Sequence, residues 1–139
     1  MKTRFFPLVS MLVFALLGTA CQAKPAALSD AEVVALTEAM LAALDQGDYA
    51  AFSRDFSPTM LAAFPQEQFD SLRAMLREAS GGPVSCAQPA LSNRQGYAVY
   101  RLTCAFEKED VVVTIVFAVD GRQVEGLFFD SPNLRALAR

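Results

Sequence analysis

Apolar and polar positions change their rhythm near Pro83, from a helical spacing to a strand-like one. Ser29-Asp30-Ala31-Glu32 is a capping box, in which the serine hydroxyl and the glutamate each satisfy a backbone amide at a helix start. Val33, Leu36, Met40, Leu41 and Leu44 follow at spacings of three and four, one stripe of a helix that Gly47 is placed to stop in the left-handed conformation. Asp48 then caps a short second helix carrying Tyr49, Phe52 and Phe56 on one face. Ser57-Pro58 opens a third, with Met60, Leu61 and Phe64 on its apolar side. Pro65 restarts or kinks the chain, and Phe69, Leu72, Met75 and Leu76 form a further face, with Arg73, Arg77 and Glu78 read as solvated. Ser80-Gly81-Gly82-Pro83 ends the helical half.

Beyond Pro83 the runs are rich in β-branched and aromatic residues. Val84 to Leu91 reads as a weak strand that Pro89 confines to an edge or makes bulge, and Asn93 to Gly96 is turn chemistry. The stretch Tyr97 to Phe129 holds three strands divided by Glu107-Lys108-Glu109-Asp110 and by Asp120-Gly121. The Asp-Gly pair suits a two-residue type I′ hairpin turn. With Lys108-Glu109 as the other turn, Phe106 faces Val111, Cys104 faces Val113, Leu102 faces Ile115 and Tyr100 faces Phe117. Carried through Asp120-Gly121, the register sets Phe117 opposite Val124 and Val113 opposite Phe128, giving one continuous apolar face. The other face mixes Arg101, Thr103, Thr114, Gln123 and Glu125 with Val112, Val116, Leu127 and Phe129. That is too apolar for a fully wet surface, so cover by the N-terminal helices, by strand curvature or by a second subunit is expected. The expected fold class is α+β, N-terminal helices on a curved antiparallel sheet of about four strands.

Residues 1–20 have the parts of an export signal: Lys2 and Arg4, an apolar core from Phe5 to Leu17, and Gly18-Thr19-Ala20. The core is short for a transmembrane helix. Leu17-Gly18-Thr19-Ala20-Cys21 resembles a bacterial lipobox, which implies that Cys21 is lipidated and becomes the mature N-terminus. The alternative is secretion with cleavage after Ala20 or Ala23. Gln22 after the cysteine implies the outer membrane in enteric-type bacteria. Residues 21–28 are then a tether, 29–132 a single domain and 133–139 a C-terminal tail. The localisation expected is the periplasmic face of the cell envelope.

Charge narrows the partners. The chain carries 12 basic and 15 acidic side chains, and with both leader cations removed the mature part stands at -5. Such a balance argues against nucleic acid and against a polybasic membrane patch. There is no histidine, which removes the usual neutral-pH general base and the commonest zinc ligand. Asp45-Gln46-Gly47-Asp48 lacks the remaining ligands of a calcium loop and reads as cap and turn. No cofactor or metal is expected. Apart from Cys21, the cysteines are Cys86 and Cys104; a reflection centred on Gln95 pairs them across two strands, and export implies an oxidising compartment, so a disulfide is predicted.

Three pieces carry a family resemblance: Ala43-Leu44-Asp45-Gln46-Gly47-Asp48-Tyr49; Phe56 through Met60 with Phe69 and Leu72; and Val119-Asp120-Gly121 leading to Gly126-Leu127-Phe128-Phe129. Together they resemble the family called domain of unknown function 3887, within the cone-shaped nuclear transport factor 2-like folds. The likeness covers about residues 30–130 and rests on turns and core positions. It implies the fold and transfers no catalytic residue.

Function is therefore expected to be a non-catalytic binding module tethered through its lipid, taking a small apolar ligand or an envelope protein. Tyr49, Phe52, Phe56, Tyr100, Leu102, Ile115, Phe117 and Phe128 are candidate pocket residues, or simply core. The alternatives are an isomerase or hydratase using a carboxylate such as Asp48, Asp55 or Glu125 with a tyrosine, and a homodimer through the mixed sheet face.

Overall fold

The capping box forms as read: Ser29 Oγ accepts from the Glu32 amide at 3.3 Å, and Glu32 Oε2 accepts from the Ser29 amide at 2.8 Å. In the computed structural model, which describes residues 27–119 and 121–139, it starts α1 (Asp30–Gln46). These bonds hold the Glu32 carboxyl down at about 2, the Ser29 amide and hydroxyl being the largest causes. Val33, Met40, Leu41 and Leu44 are buried. Thr37, on the same stripe, is tolerated there because its hydroxyl donates to Val33 O at 2.7 Å. At Gly47, φ is 79°, and the Asp48 amide returns to Ala43 O at 2.9 Å.

The Asp48 carboxylate caps α2 (Tyr49–Phe52). This helix stops short of Phe56, contrary to the expected pattern. The reason is tertiary: the Val124 amide donates to Asp55 O at 2.7 Å and the Ser57 amide donates to Val124 O at 3.0 Å, so the chain around Phe56 runs beside a strand instead. α3 (Pro58–Ala63) and α4 (Gln66–Ala79) follow their Ser57-Pro58 and Pro65 signals. Met60, Phe69 and Leu76 face the core, but Leu61 (42% exposed) and Met75 (39%) lie at the surface. Arg73 and Arg77 are more than a solvated face. Arg73 Nη2 donates to Asp45 O at 2.9 Å and Arg77 Nη2 to Asp45 Oδ1 at 2.8 Å, so α4 satisfies the carbonyl end of α1.

Five antiparallel strands make one sheet that is not closed: β1 (Pro83–Cys86), β2 (Ala90–Arg94), β3 (Tyr97–Phe106), β4 (Asp110–Ala118) and β5 (Val124–Asp130). β1 and β2 share one edge of β3, which pairs β4 on its other side, and β4 pairs β5. The single weak strand expected over 84–91 is thus two strands with Pro89, which has no amide to donate, between them. Gln95 and Gly96 have φ of 49° and 83°, the two positive values of a type I′ hairpin turn.

Two registers differ from expectation. The β3–β4 turn is centred on Glu107-Lys108, with the Phe106 amide donating to Glu109 O at 2.9 Å. Tyr100 therefore faces Ile115, Leu102 faces Val113 and Cys104 faces Val111. One residue of turn displacement moves the register by two, so each side chain keeps its face. What selects this turn is α4: the Lys108 amide donates to Ser80 O and the Gly82 amide to Glu107 Oε2.

Between β4 and β5, Phe117 faces Val124 as expected, but Val116 faces Gly126, leaving Glu125 as an extra residue in a bulge. Beyond it every face inverts. Leu127 and Phe129 pack toward the core opposite Ile115 and Val113, and Phe128 turns outward, 63% exposed. Five residues rather than two separate β4 from β5; Asp120 lies outside the described residues. Finally, residues expected as a tail form α5 (Pro132–Leu137), capped by Ser131 and anchored by buried Leu134. The buried faces of the described helices join one core with the inner face of the sheet, which runs through Tyr100, Leu102, Val113, Ile115 and Phe117.

Candidate functional site: the open face of the sheet

Most of the candidate pocket side chains are packed against one another. Phe52, fully buried, lies 5.3 Å from Phe56, 5.9 Å from Phe64 and 5.0 Å from Phe69 between ring centroids, and Tyr49 meets Phe69 at 5.5 Å. On the sheet, Tyr100 and Phe117 meet edge to face at 5.9 Å, beside buried Leu102 and Ile115. Phe128 alone is separated from this group, because the bulge at Glu125 points it to the opposite face.

The tyrosine hydroxyls of these two clusters are engaged by the backbone. Tyr49 donates to Phe64 O at 2.8 Å and Tyr100 to Leu28 O at 3.0 Å. Burial, with Asp30 and Glu32 nearby, pushes the Tyr100 phenol up, so it stays a neutral donor. The bond fastens the segment before α1 to the centre of the sheet. The candidate carboxylates are engaged elsewhere: Asp48 caps α2, Asp55 pairs with Arg54 at 2.8 Å, and Glu125 accepts from the Ser57 hydroxyl at 2.9 Å. None of these bonds joins an acid to a tyrosine.

Cys86 and Cys104 sit directly opposite each other in β1 and β3 and form the predicted disulfide, Sγ to Sγ 2.06 Å. The Cys86 amide, on the outer edge of β1, donates to Glu38 Oε1 at 2.9 Å, so α1 covers that edge group. Cys21 lies outside the described residues. Among the described residues no group of three or more metal-ligating side chains is assembled, and no helix is long and apolar enough to cross a membrane.

Sequence reasoning passed over Glu109, which sits inside a run of charges and looked like turn chemistry. Its Oε1 accepts from Ser80 Oγ at 2.7 Å and Ser131 Oγ at 2.6 Å, and Oε2 accepts from the Asn133 amide at 3.2 Å. Both serines are buried. One carboxylate thus joins the end of α4, the β3–β4 turn and the start of α5. Burial pushes its carboxyl up, but the hydrogen bonds and Arg135 outweigh that and hold it below the ordinary value. Glu109→Ala should lower unfolding stability by about 2 kcal/mol at pH 7, because charged hydrogen bonds are lost and buried hydroxyls are orphaned. Because the folded value lies below the unfolded one, this contribution is complete above the ordinary glutamate range. It disappears as pH falls through the folded value. Denaturant midpoints of wild type and variant should therefore differ at pH 7 and converge in acid.

The outer face of the sheet is the surface that no helix among the described residues covers. One rung crosses four strands as Ala90, Arg101, Thr114 and Phe128, and the next as Ser92, Val99, Val116 and Gly126. The bulge decides this composition, putting Phe128 here and taking Leu127 and Phe129 away. A hollow of about 420 Å³ lies on this face, bordered by Ser92, Arg94, Val99, Arg101 and Thr114. Arg94 and Arg101 are exposed, and neither joins an ion pair with another described residue.

The family model described as "Protein of unknown function (DUF3887)" matches residues 37–127. The chain belongs to this family. The DUF3887 match runs from Thr37 in α1 to Leu127 in β5, so it includes the Gly47-Asp48 cap, the disulfide and the hollow, and it stops just before Phe128. No curated protein and no solved structure matches this DUF3887 chain.

Proposed function

We propose that this DUF3887 protein is a non-catalytic binding module held at the bacterial cell envelope by a lipid on Cys21, and that it engages a protein partner through the outer face of its sheet. The observation that carries the reading is the exposure of Phe128 on the edge strand β5, at the end of a rung on a face that no described helix covers and that also presents Val99, Val112 and Val116. An isolated exposed leucine would carry nothing; an aromatic set in a valine-rich sheet surface beside a hollow is what a partner's apolar side chains fit. The packing of Phe52, Phe56, Tyr100 and Phe117 among other core side chains supports a surface partner over a ligand held inside. Helices on one face of an antiparallel sheet support the nuclear transport factor 2-like cone as the fold. The lipobox-like Leu17 to Cys21 and the export signal support the anchor, Gln22 favours the outer membrane, and the Cys86–Cys104 disulfide suits an oxidising compartment.

The test is site-specific photo-crosslinking from the outer face in cells producing the full-length chain. Phe128→Glu should leave stability within about 0.5 kcal/mol of wild type, as expected for a surface change, and abolish the crosslinked product. Cys21→Ser should move the protein from the membrane to the soluble fraction. A product that persists with Phe128→Glu overturns the binding face, and a Cys21→Ser protein that stays with membranes overturns the anchor.

A further inference from the structure

Two cations on an acidic domain mark the outer face more narrowly than its apolar content does. Arg94 pairs with Tyr97 at the end of the β2–β3 hairpin, and Arg101 stands four residues further along β3, opposite Ala90 and Thr114. At the usual strand rise and spacing, their Cα atoms are roughly 14 Å apart. Val99 and Ser92 lie between them on the same face, and all four border the hollow. The described ion pairs use Arg54, Arg77, Arg122 and Arg135; these two arginines are left without an acidic partner among the described residues.

We infer that this site binds an extended acidic peptide segment of a partner protein, with two carboxylates four residues apart and an apolar side chain midway. The inference rests on the binding-face reading above and specifies its ligand. In an extended chain, alternate side chains share a face, and residues four apart are separated by roughly 14 Å. The first and fifth side chains then meet Arg94 and Arg101, while the third rests on Val99. Guanidinium groups take carboxylates in paired hydrogen bonds, and Ser92 and Thr114 supply hydroxyls beside them. The mature chain is acidic overall, so this cationic spot is a local reversal that discriminates by charge. A lipid headgroup of the anchoring membrane fits less well. Leu28, near the start of the described residues, has its carbonyl held by Tyr100 on the helical side, and the hollow lies on the opposite face.

The test is fluorescence anisotropy with the full mature chain in detergent and a labelled Glu-Ser-Val-Ser-Glu peptide flanked by serines. Saturable binding is expected, weakened at least about fivefold by Arg94→Glu or Arg101→Glu as charge-assisted bonds are lost. It should also fall in 0.5 M salt. The double variant should instead prefer Lys-Ser-Val-Ser-Lys. Equal binding of both peptides by wild type, or indifference to the arginine substitutions, overturns the inference. So does arginine-dependent binding of inorganic phosphate or phosphatidylglycerol vesicles that excludes the peptide, or a wild-type dimer that Arg101→Glu dissociates, since the occupant is then a phosphate group or a second copy. If Phe128→Glu abolishes the crosslink in cells while Arg94→Glu and Arg101→Glu preserve it, the acidic ligand falls and the binding face stands.

Discussion

Phe52→Ala is expected to destabilise the domain by about 4 kcal/mol, the range for truncating a large aromatic core side chain. Phe52 is fully buried and its ring touches those of Phe56, Phe64 and Phe69. Those rings come from the turn after α2, from the end of α3 and from α4, so the side chain sits where three segments meet, beside the Tyr49 contacts with Phe64 and Phe69. Truncation leaves a cavity between these segments. For a domain of this size the loss corresponds to a fall of more than about ten degrees in the thermal midpoint. Circular dichroism melting of wild type, Phe52→Ala and Phe128→Ala would check it. The exposed Phe128 should cost no more than about 0.5 kcal/mol on truncation. Equal effects at the two positions would contradict both the core and the outer face described above.

Removing the disulfide should have the next largest effect. Its half-cystines are 18 positions apart, and the loop-entropy relation gives about 3 kcal/mol for closing a loop of that length. Cys86→Ala with Cys104→Ala should lower the denaturant midpoint accordingly, and wild type under reductant should fall to a similar value. The damage should be local. β1 is four residues long and lies at the edge of the sheet, held by β3, by the Glu38 carboxylate on the Cys86 amide and by the disulfide. Amide exchange should therefore quicken most in β1 and less in the central part of β3, which still pairs with β4. An unchanged midpoint on reduction would sink the stabilising role.

Both substitutions act on features readable from sequence to different degrees. The caps of α1, α2 and α3 were legible, though that of α5 at Ser131 was passed over. Ser29 with Glu32, Asp48, and Ser57 with Pro58 each satisfy orphan amides within a few residues, and such interactions depend on nothing distant. The inner faces of β3 and β4 were legible too, since alternation survives a register shift of two. The disulfide followed from a symmetric hairpin.

Distant choices were not legible. The bulge at Glu125 depends on how β5 meets both β4 and the Asp55 to Ser57 segment, and no short-range signal announces it. Gly126, packed against Val116 and Phe128, is the one residue nearby that hints at a close approach. The position of the β3–β4 turn was selected by backbone groups at the end of α4. Glu109 became a structural hub only because α4 and α5 brought buried serines to it.

The candidate site shows the same division. Sequence by itself determined the α+β order, the starts of α1, α2 and α3, the inner-face residues of β3 and β4 and the Cys86–Cys104 pair, because each rests on local spacing or on alternation that the pleat enforces, and its motifs carried the resemblance to DUF3887. Tertiary structure alone decided that Phe128 faces outward, that Tyr49, Phe52, Phe56, Tyr100, Leu102, Ile115 and Phe117 are packed among core side chains, and that Arg94 and Arg101 border one hollow. The physical reason is that one inserted residue in an edge strand reverses every side chain beyond it, and that insertion is favoured by contacts between segments nearly seventy residues apart.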